Sequence, residues 1–376
     1  MGILQSIRPA IAAASLFALG VTASGVSVAP ARAETVDVTK ESWWLTPYKA
    51  SKPWTIGVSY TDTSISYIAA LQKAVQAKAK EMGVKIIEVD AKNDTNVELA
   101  NVESLLQQHI DLLLLEGASL KASVASIEAA NKAKVPVVHF NILAEGGEYV
   151  TFVGSNQIDS GIEMGKEIVK LYKQAGKPKL KGIYMRGIAG YITDEIRNRG
   201  VKDTLKEAGL ADKIEWTEQY ADFSRAKAQS VAESILAKSQ DYDFVIANGD
   251  DMILGALGAV KAAGLLGKVL LYTSVDGLPE TLDAIKAGEI VSTIFQNPEG
   301  QGEGGILVAA MYLDGDKSLP KHILIPFVPT DKSNVADFMK IANRVYGKKP
   351  GAGAETPEGR RLRSYPSHFT PEAQRA

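Results

Sequence analysis

An α/β fold of two doubly wound parallel-sheet lobes is predicted by this sequence, and three observations carry the prediction. Short apolar runs alternate with helix-periodic stretches from Trp54 to Tyr346. Leu112-Leu113-Leu114-Leu115 is apolar at every position, as a strand buried on both faces of a parallel sheet must be. The unit from Asp243 to Gly277 ends two successive strands in polar and acidic residues, where open α/β sheets hold their ligands.

Composition supports this class. A chain of 376 residues, 45% hydrophobic and 23% charged, is long enough for two core-forming domains. Its net charge of −2 gives no support to a nucleic-acid or anionic-membrane partner. The absence of cysteine excludes disulfides, thiolate metal sites and cysteine nucleophiles.

The N-terminus differs in kind. Arg8 precedes an apolar, small-residue-rich stretch from Pro9 to Val21, and Ala31-Arg32-Ala33 makes a small-x-small pattern before Glu34. Residues 1–33 are therefore expected to be a secretory signal peptide. The alternative, a membrane anchor, suffers from the short run and its interruption by Thr22, Ser24, Ser27 and Pro30.

The elements follow in order. Residues 34–53, with Trp43 and Trp44, are expected to form an arm packed on the first domain. Strands are expected over Trp54 to Tyr60, Val84 to Val89, Leu112 to Leu115, Pro136 to Phe140 and Tyr149 to Val153. Helices are expected between them over Tyr67 to Met82, Val97 to Gln108 and Leu120 to Lys134. The second half repeats the alternation, from a helix at Ile158 to Ala175 to the strand and helix of the Asp243–Gly277 unit. A helix over Leu278 to Ala287, a strand over Ile290 to Phe295 and a helix over Gly302 to Leu313 come next. A last strand is expected at Ile323 to Val328, then a helix from Val335 to Tyr346. Residues 347–376, rich in proline and glycine with Arg360, Arg361 and Arg363, read as a flexible tail.

No catalytic constellation emerges. There is no GxSxG elbow, no GxGxxG loop after the first strand, and no Walker lysine. His109, His139, His322 and His368 lack metal-ligand spacing, so no metal and no cofactor is expected. His109 reads as a helix-end surface residue, and His139 as a hydrogen-bonded packing residue or a cleft-lining one. Asp250-Asp251 reads as helix-capping carboxylates, and Gly300 to Gly305 as a helix start or a phosphate cradle.

Several strings together resemble one family. They are NVE (Asn101 to Glu103), VPVVHFN (Val135 to Asn141), GIAG (Gly187 to Gly190) and RNRG (Arg197 to Gly200). ADFSRAKA (Ala221 to Ala228), ANGDDMILGAL (Ala247 to Leu257), VDG (Val275 to Gly277) and TIFQNP (Thr293 to Pro298) complete the set. In this order they resemble the ribose-, galactose- and xylose-type sugar-binding proteins of ABC importers, over roughly residues 54 to 345. The resemblance implies a type I periplasmic binding protein, with lobes of residues 54–156 plus 297–325 and 157–296 plus 326–346 joined by a three-segment hinge. It also implies a periplasmic monomer that binds a small polar solute and delivers it to an inner-membrane ABC permease, with no enzyme activity.

It carries over to the site residue by residue. Tyr67 takes the place of a ring-stacking aromatic in the first lobe and Phe223 that of its counterpart in the second; core packing is the alternative for each. Asn141 occupies the position of a hydroxyl-binding aspartate, and Arg197, Asp276 and Gln296 match hydrogen-bonding positions. For Arg197 the alternative is a surface helix charge, and for Asp276 a turn residue. The departures are Ile65-Ser66-Tyr67-Ile68 in the first lobe, Ile142 for an arginine, and Glu116 for an asparagine. Gly249 replaces another asparagine, with Asn248 displaced by one. Glu116 and Ile142 point away from ribose or glucose, toward a polyol, a modified or amino sugar, or another neutral-to-cationic solute. The rival readings are a periplasmic sensor reporting to a chemoreceptor or histidine kinase, a sugar-responsive repressor, and an enzyme on this scaffold. The export signal stands where a repressor's helix-turn-helix would have to be.

Overall fold

The computed structural model describes residues 36–38 and 40–347. The expected signal peptide lies outside the described residues, as does the tail beyond Gly347.

The first half of the chain builds one parallel sheet. In order come β1 (Thr55–Tyr60), α1 (Ser66–Met82), β2 (Lys85–Asp90), α2 (Thr95–Gln107), β3 (Leu112–Leu115), α3 (Val124–Lys132), β4 (Val137–Asn141) and β5 (Phe152–Gly154). Local signals set the ends: Asp94 accepts from the backbone N–H of Asn96 and Val97 at the start of α2, and Gly83 closes α1 at φ +76°. Alternate residues feed two cores. Leu112 and Leu114 with Val138 and Phe140 face one side, while Leu113, Leu115 and Val137 face the other. A strand buried on both faces needs the all-leucine run.

The second half continues with α4 (Gln157–Ala175), β6 (Leu180–Arg186), α5 (Ile192–Glu207), β7 (Ile214–Tyr220), α6 (Arg225–Lys238), β8 (Phe244–Ala247), α7 (Asp250–Ala262) and β9 (Leu270–Thr273). After these come β10 (Val275–Asp276), α8 (Pro279–Ala287), β11 (Ser292–Phe295), α9 (Pro298–Leu313), β12 (His322–Leu324), β13 (Val328–Asp331) and α10 (Val335–Tyr346). Strands β7-β6-β8-β9 form a parallel sheet, and β10-β11-β13 a smaller one joined to β9 by a parallel bridge from Leu271 to Ile290.

Two late elements return to the first sheet. Strand β12 pairs with β5 at its edge, giving the order β12-β5-β4-β3-β1-β2, every pair parallel. Helix α9 packs on α1 and across β3, β4 and β5. The chain thus passes between the two lobes after Gly154, after Phe295 and after Leu324.

Three expectations need correction. The single strand expected over Ile323 to Val328 is two: β12 in the first sheet, and β13 antiparallel to β11. Pro326 between them has no N–H to give to a ladder, and the two segments pair at the edges of different sheets. Val275-Asp276, expected as a turn, pairs with β11 as β10. The Gly300–Gly305 run is the inside of a buried helix that starts at Pro298, capped by the Asn297 side chain. A Cβ on Gly302 would stand 2.7 Å from the Leu71 carbonyl oxygen, so this glycine lets α9 approach α1, while Gly304 and Gly305 make room for Trp43 and Phe140; the run is helix interior and no phosphate cradle.

The arm segment turns through a short 3₁₀ helix at Trp43–Leu45, with both tryptophans buried. Asp314, at the end of α9, accepts from Tyr48 Oη (2.8 Å), Trp54 Nε1 (2.7 Å) and the Ser51 backbone N–H (3.1 Å), which ties the arm down.

Candidate functional site

The carboxyl ends of the strands in both lobes meet at one cleft. Asn141 is the last residue of β4 and Asp276 the last of β10; each has positive φ (56° and 127°), turning its side chain out of the strand alternation. Phe223 (φ 52°) lies in the loop after β7, and Tyr67 in the first turn of α1. Arg197 projects from the second turn of α5, and Gln296 follows β11 directly.

Tyr67, Asn141, Arg197, Phe223 and Gln296 line a single cavity of about 40 Å³. Ile65, Ile68 and Ile142 add apolar wall, and Gln157, Tyr191 and Thr193 complete it. Sequence reading singled out none of the last three. Tyr191 directly follows GIAG, and its ring meets Phe223 edge-on at 5.9 Å, so the string it closes was the available signal. Gln157 opens α4 just past the first crossing, a position that only the closure of the fold brings to the cleft.

Glycines make room for Phe223. A Cβ on Gly187 would lie 2.4 Å from Phe223 Cζ, and one on Gly249 would lie 3.0 Å from Cδ1 and 3.3 Å from Asp276 Oδ2. Phe223 therefore rests on backbone, with Asp276 beside it. Here the replacement of an asparagine by Gly249 acquires a steric reason.

A chain of hydrogen bonds crosses the cavity. Arg197 Nη2 donates to Gln296 Oε1 (3.0 Å), and Gln296 Nε2 donates to Asn141 Oδ1 (2.9 Å). Asn141 Nδ2 donates to Glu116 Oε1 (2.5 Å), and Glu116 Oε2 accepts from the Thr61 N–H (3.1 Å). Arg197 also donates to Gln157 Oε1 (3.0 Å) and to the Asn248 carbonyl. It is 3% exposed, so the surface-charge alternative is excluded. Burial lowers its basicity, while the field of Asp276 opposes that shift. Asp276 is pushed well above the usual carboxylate range by burial, against the pull of Arg197. Glu116 is raised to about 7, also by burial. Burying a carboxylate in low dielectric favours its neutral form.

Three expected site residues stand behind the cavity wall or beside it. Glu116 is fully buried and both its oxygens are engaged by the protein. The Asn248 side chain is held by Tyr184 Oη and Asp194, so its carbonyl, and not its amide, faces Arg197. Asp194 in turn pairs with Arg186 at 2.6 Å, which anchors the GIAG loop. Asp276 reaches the site beside Phe223 without lining the cavity.

Two further expectations change. Neither Asp250 nor Asp251 caps α7, whose N-cap is Gly249. Asp250 instead accepts the N–H groups of Gly277 (2.8 Å) and Leu278 (2.7 Å) and the Thr293 hydroxyl (2.8 Å), fixing the turn that presents Asp276. Asp251 pairs with Arg225 at 2.8 Å. His139 is a buried packing residue against Tyr149, and burial lowers its pKa to about 4. His109 is exposed just past α2, as expected. Among the described residues no group of three or more His, Cys, Asp or Glu could hold a metal ion.

Residues 56–317 match the sequence pattern of the periplasmic binding protein domain. The chain belongs to the periplasmic binding protein family. Among relatives in this family, the ribose import binding protein RbsB of Haemophilus influenzae is 34% identical over 270 residues, covering 71% of this chain and 88% of that protein. An ABC transporter solute binding protein from Bacillus halodurans, solved with bound myo-inositol, superposes with a TM-score of 0.70 at 27% identity, covering 77% of this chain and 98% of its own. The myo-inositol binding protein of Caulobacter, also with myo-inositol bound, gives 0.69 at 26% identity, covering 81% and 100%. These likenesses agree with the type I two-lobed fold.

Proposed function

We propose that this protein is a periplasmic solute-binding protein of an ABC importer that holds a neutral polyol or sugar between its lobes and hands it to an inner-membrane permease. The observation that carries the reading is the hydrogen-bond chain Arg197–Gln296–Asn141, bordered by the rings of Tyr67 and Phe223. A sugar-like molecule has apolar C–H faces and a rim of hydroxyls, and such a wall matches both. Arg197, Gln296 and Asn141 exchange bonds with a ligand's hydroxyls at little cost, because each already has a partner geometry in place.

Neutrality of the ligand rests on the charges. Glu116, the residue that suggested a cation, is spent on Asn141 and Thr61. Burial also favours neutral Asp276, and Ile142 brings no charge. A cationic solute would enter a buried site with no free carboxylate to meet it, and would face the Arg197 guanidinium there. Cyclic polyols are favoured, in keeping with the myo-inositol held by two structural relatives. The relative named for ribose import favours the importer over a sensor. The bound solute closes the lobes about the three crossing segments, by binding the closed form more tightly than the open one. The protein acts as a monomer, exported by its N-terminal signal and without enzyme activity.

A thermal-shift and calorimetric screen of myo-inositol, D-ribose, D-galactose, glycerol and glucosamine tests this. A neutral polyol or sugar is expected to raise the melting temperature most, and Phe223→Ala to weaken its binding at least about tenfold while leaving the ligand-free protein folded. Stabilisation by glucosamine alone, or by none of the five, would sink the reading.

A further inference from the structure

Helix α10 ends against α1. Tyr346, its last residue, packs with Val345 against Ala70 and Ala74 of α1. Ala70 and Ala74 stand three and seven positions after Tyr67, so all three share one face of α1, and Tyr346 lies along the face that begins with Tyr67. The hydroxyls of Tyr346 and Tyr67 are both buried, and neither has a hydrogen-bond partner among the described residues. Each phenol lies in the field of Asp276, and Tyr67 lies in that of Tyr346. Burial keeps both protonated, so each offers one donor and one acceptor.

The same helix is fixed firmly enough to hold such a group in place. Phe338 packs on Phe295 at 4.7 Å beside the second crossing. Arg344 pairs with Glu299 at 2.8 Å in the first turn of α9. Buried hydroxyls without partners are uncommon in folded proteins, and two of them along one face of α1 make a polar spot that a ligand hydroxyl would satisfy.

We propose that Tyr346 is a specificity-determining residue of the binding site, its hydroxyl working with Tyr67 and Asp276 to take one hydroxyl of the bound polyol. The C-terminal helix then backs the site from behind the cavity wall, supplied by neither parallel sheet. This rests on the polyol reading above and adds the residue that selects among polyols.

The experiment compares wild type with Tyr346→Phe by calorimetric titration with myo-inositol, D-ribose, D-galactose and glycerol, and records the melting temperature of each ligand-free protein. Phenylalanine keeps the packing on Ala70 and Ala74 and removes only the hydroxyl. Affinity for the tightest ligand is expected to fall about fivefold to tenfold, with the order of affinities across the four changed and the ligand-free melting temperature kept or raised. Unchanged affinities mean that Tyr346 only packs, and overturn the assignment. So does an equal loss for all four ligands with a lowered melting temperature, which marks a structural role. If wild type binds none of the four, the polyol reading itself falls and this assignment falls with it. If wild type binds and the variant binds equally, only the assignment is lost.

Discussion

Glu116 holds a cavity-lining side chain in place without lining the cavity itself. It accepts from Thr61 and from Asn141 Nδ2, and so orients the Asn141 amide with its oxygen toward Gln296. Its pKa rises from 4.5 to about 7 on burial. The unfolded chain therefore binds fewer protons at this group between those values, so the stability linked to its proton is complete below about 4.5 and is lost as pH rises through about 7. Asp250 and Asp276, also raised by burial, act with the same sign. Glu116→Gln is expected to flatten the fall in melting temperature between pH 4.5 and 7 relative to wild type. Differential scanning calorimetry at fixed ionic strength measures it, and parallel curves would clear Glu116 of the effect. Above pH 7 the same change should raise the Kd of the best polyol about tenfold, because the glutamine NH2 would face a donor where one carboxylate oxygen now accepts. Asn141, Arg197 and Phe223 could be named from sequence because each falls inside a motif string. The supporting role of Glu116 could not, because it depends on which neighbour its two oxygens meet.

At the scale of elements, the site depends on how closely helices cross. A Cβ on Gly161 of α4 would stand 2.2 Å from the Arg197 carbonyl oxygen, and one on Gly200 of α5 would stand 2.7 Å from that of Ile158. These two glycines bring the helix backbones together and set Arg197 within reach of Gln157. Gly161→Ala is expected to cost about 1–3 kcal/mol in stability by overpacking and to weaken polyol binding by more than the loss of one hydrogen bond. Denaturant unfolding and calorimetry measure the two effects. A variant that binds like wild type would show that the crossing does not position Arg197. Helix identity was legible from periodicity and strand identity from apolar runs. Where one strand became two, around Pro326, the division between lobes depended on pairing partners far away in sequence.

For the whole molecule, the proposal that a bound solute closes the lobes about the three crossings makes binding and closure one event. Small-angle scattering should show a smaller radius of gyration with saturating polyol than without it; equal radii would remove closure as the mechanism. The two-lobed α/β class and its family were determined by the sequence alone. Hydrophobic periodicity and loop chemistry are local properties, repeated along the chain and readable without a partner. What only the tertiary structure decided was which groups meet: Glu116 turned inward, Asn248 tied to Asp194, Gln157 and Tyr191 drawn into the wall, and Tyr346 packed against Ala70 and Ala74. Such meetings are set by long-range packing, in which residues hundreds of positions apart satisfy or desolvate one another, and no local pattern records them.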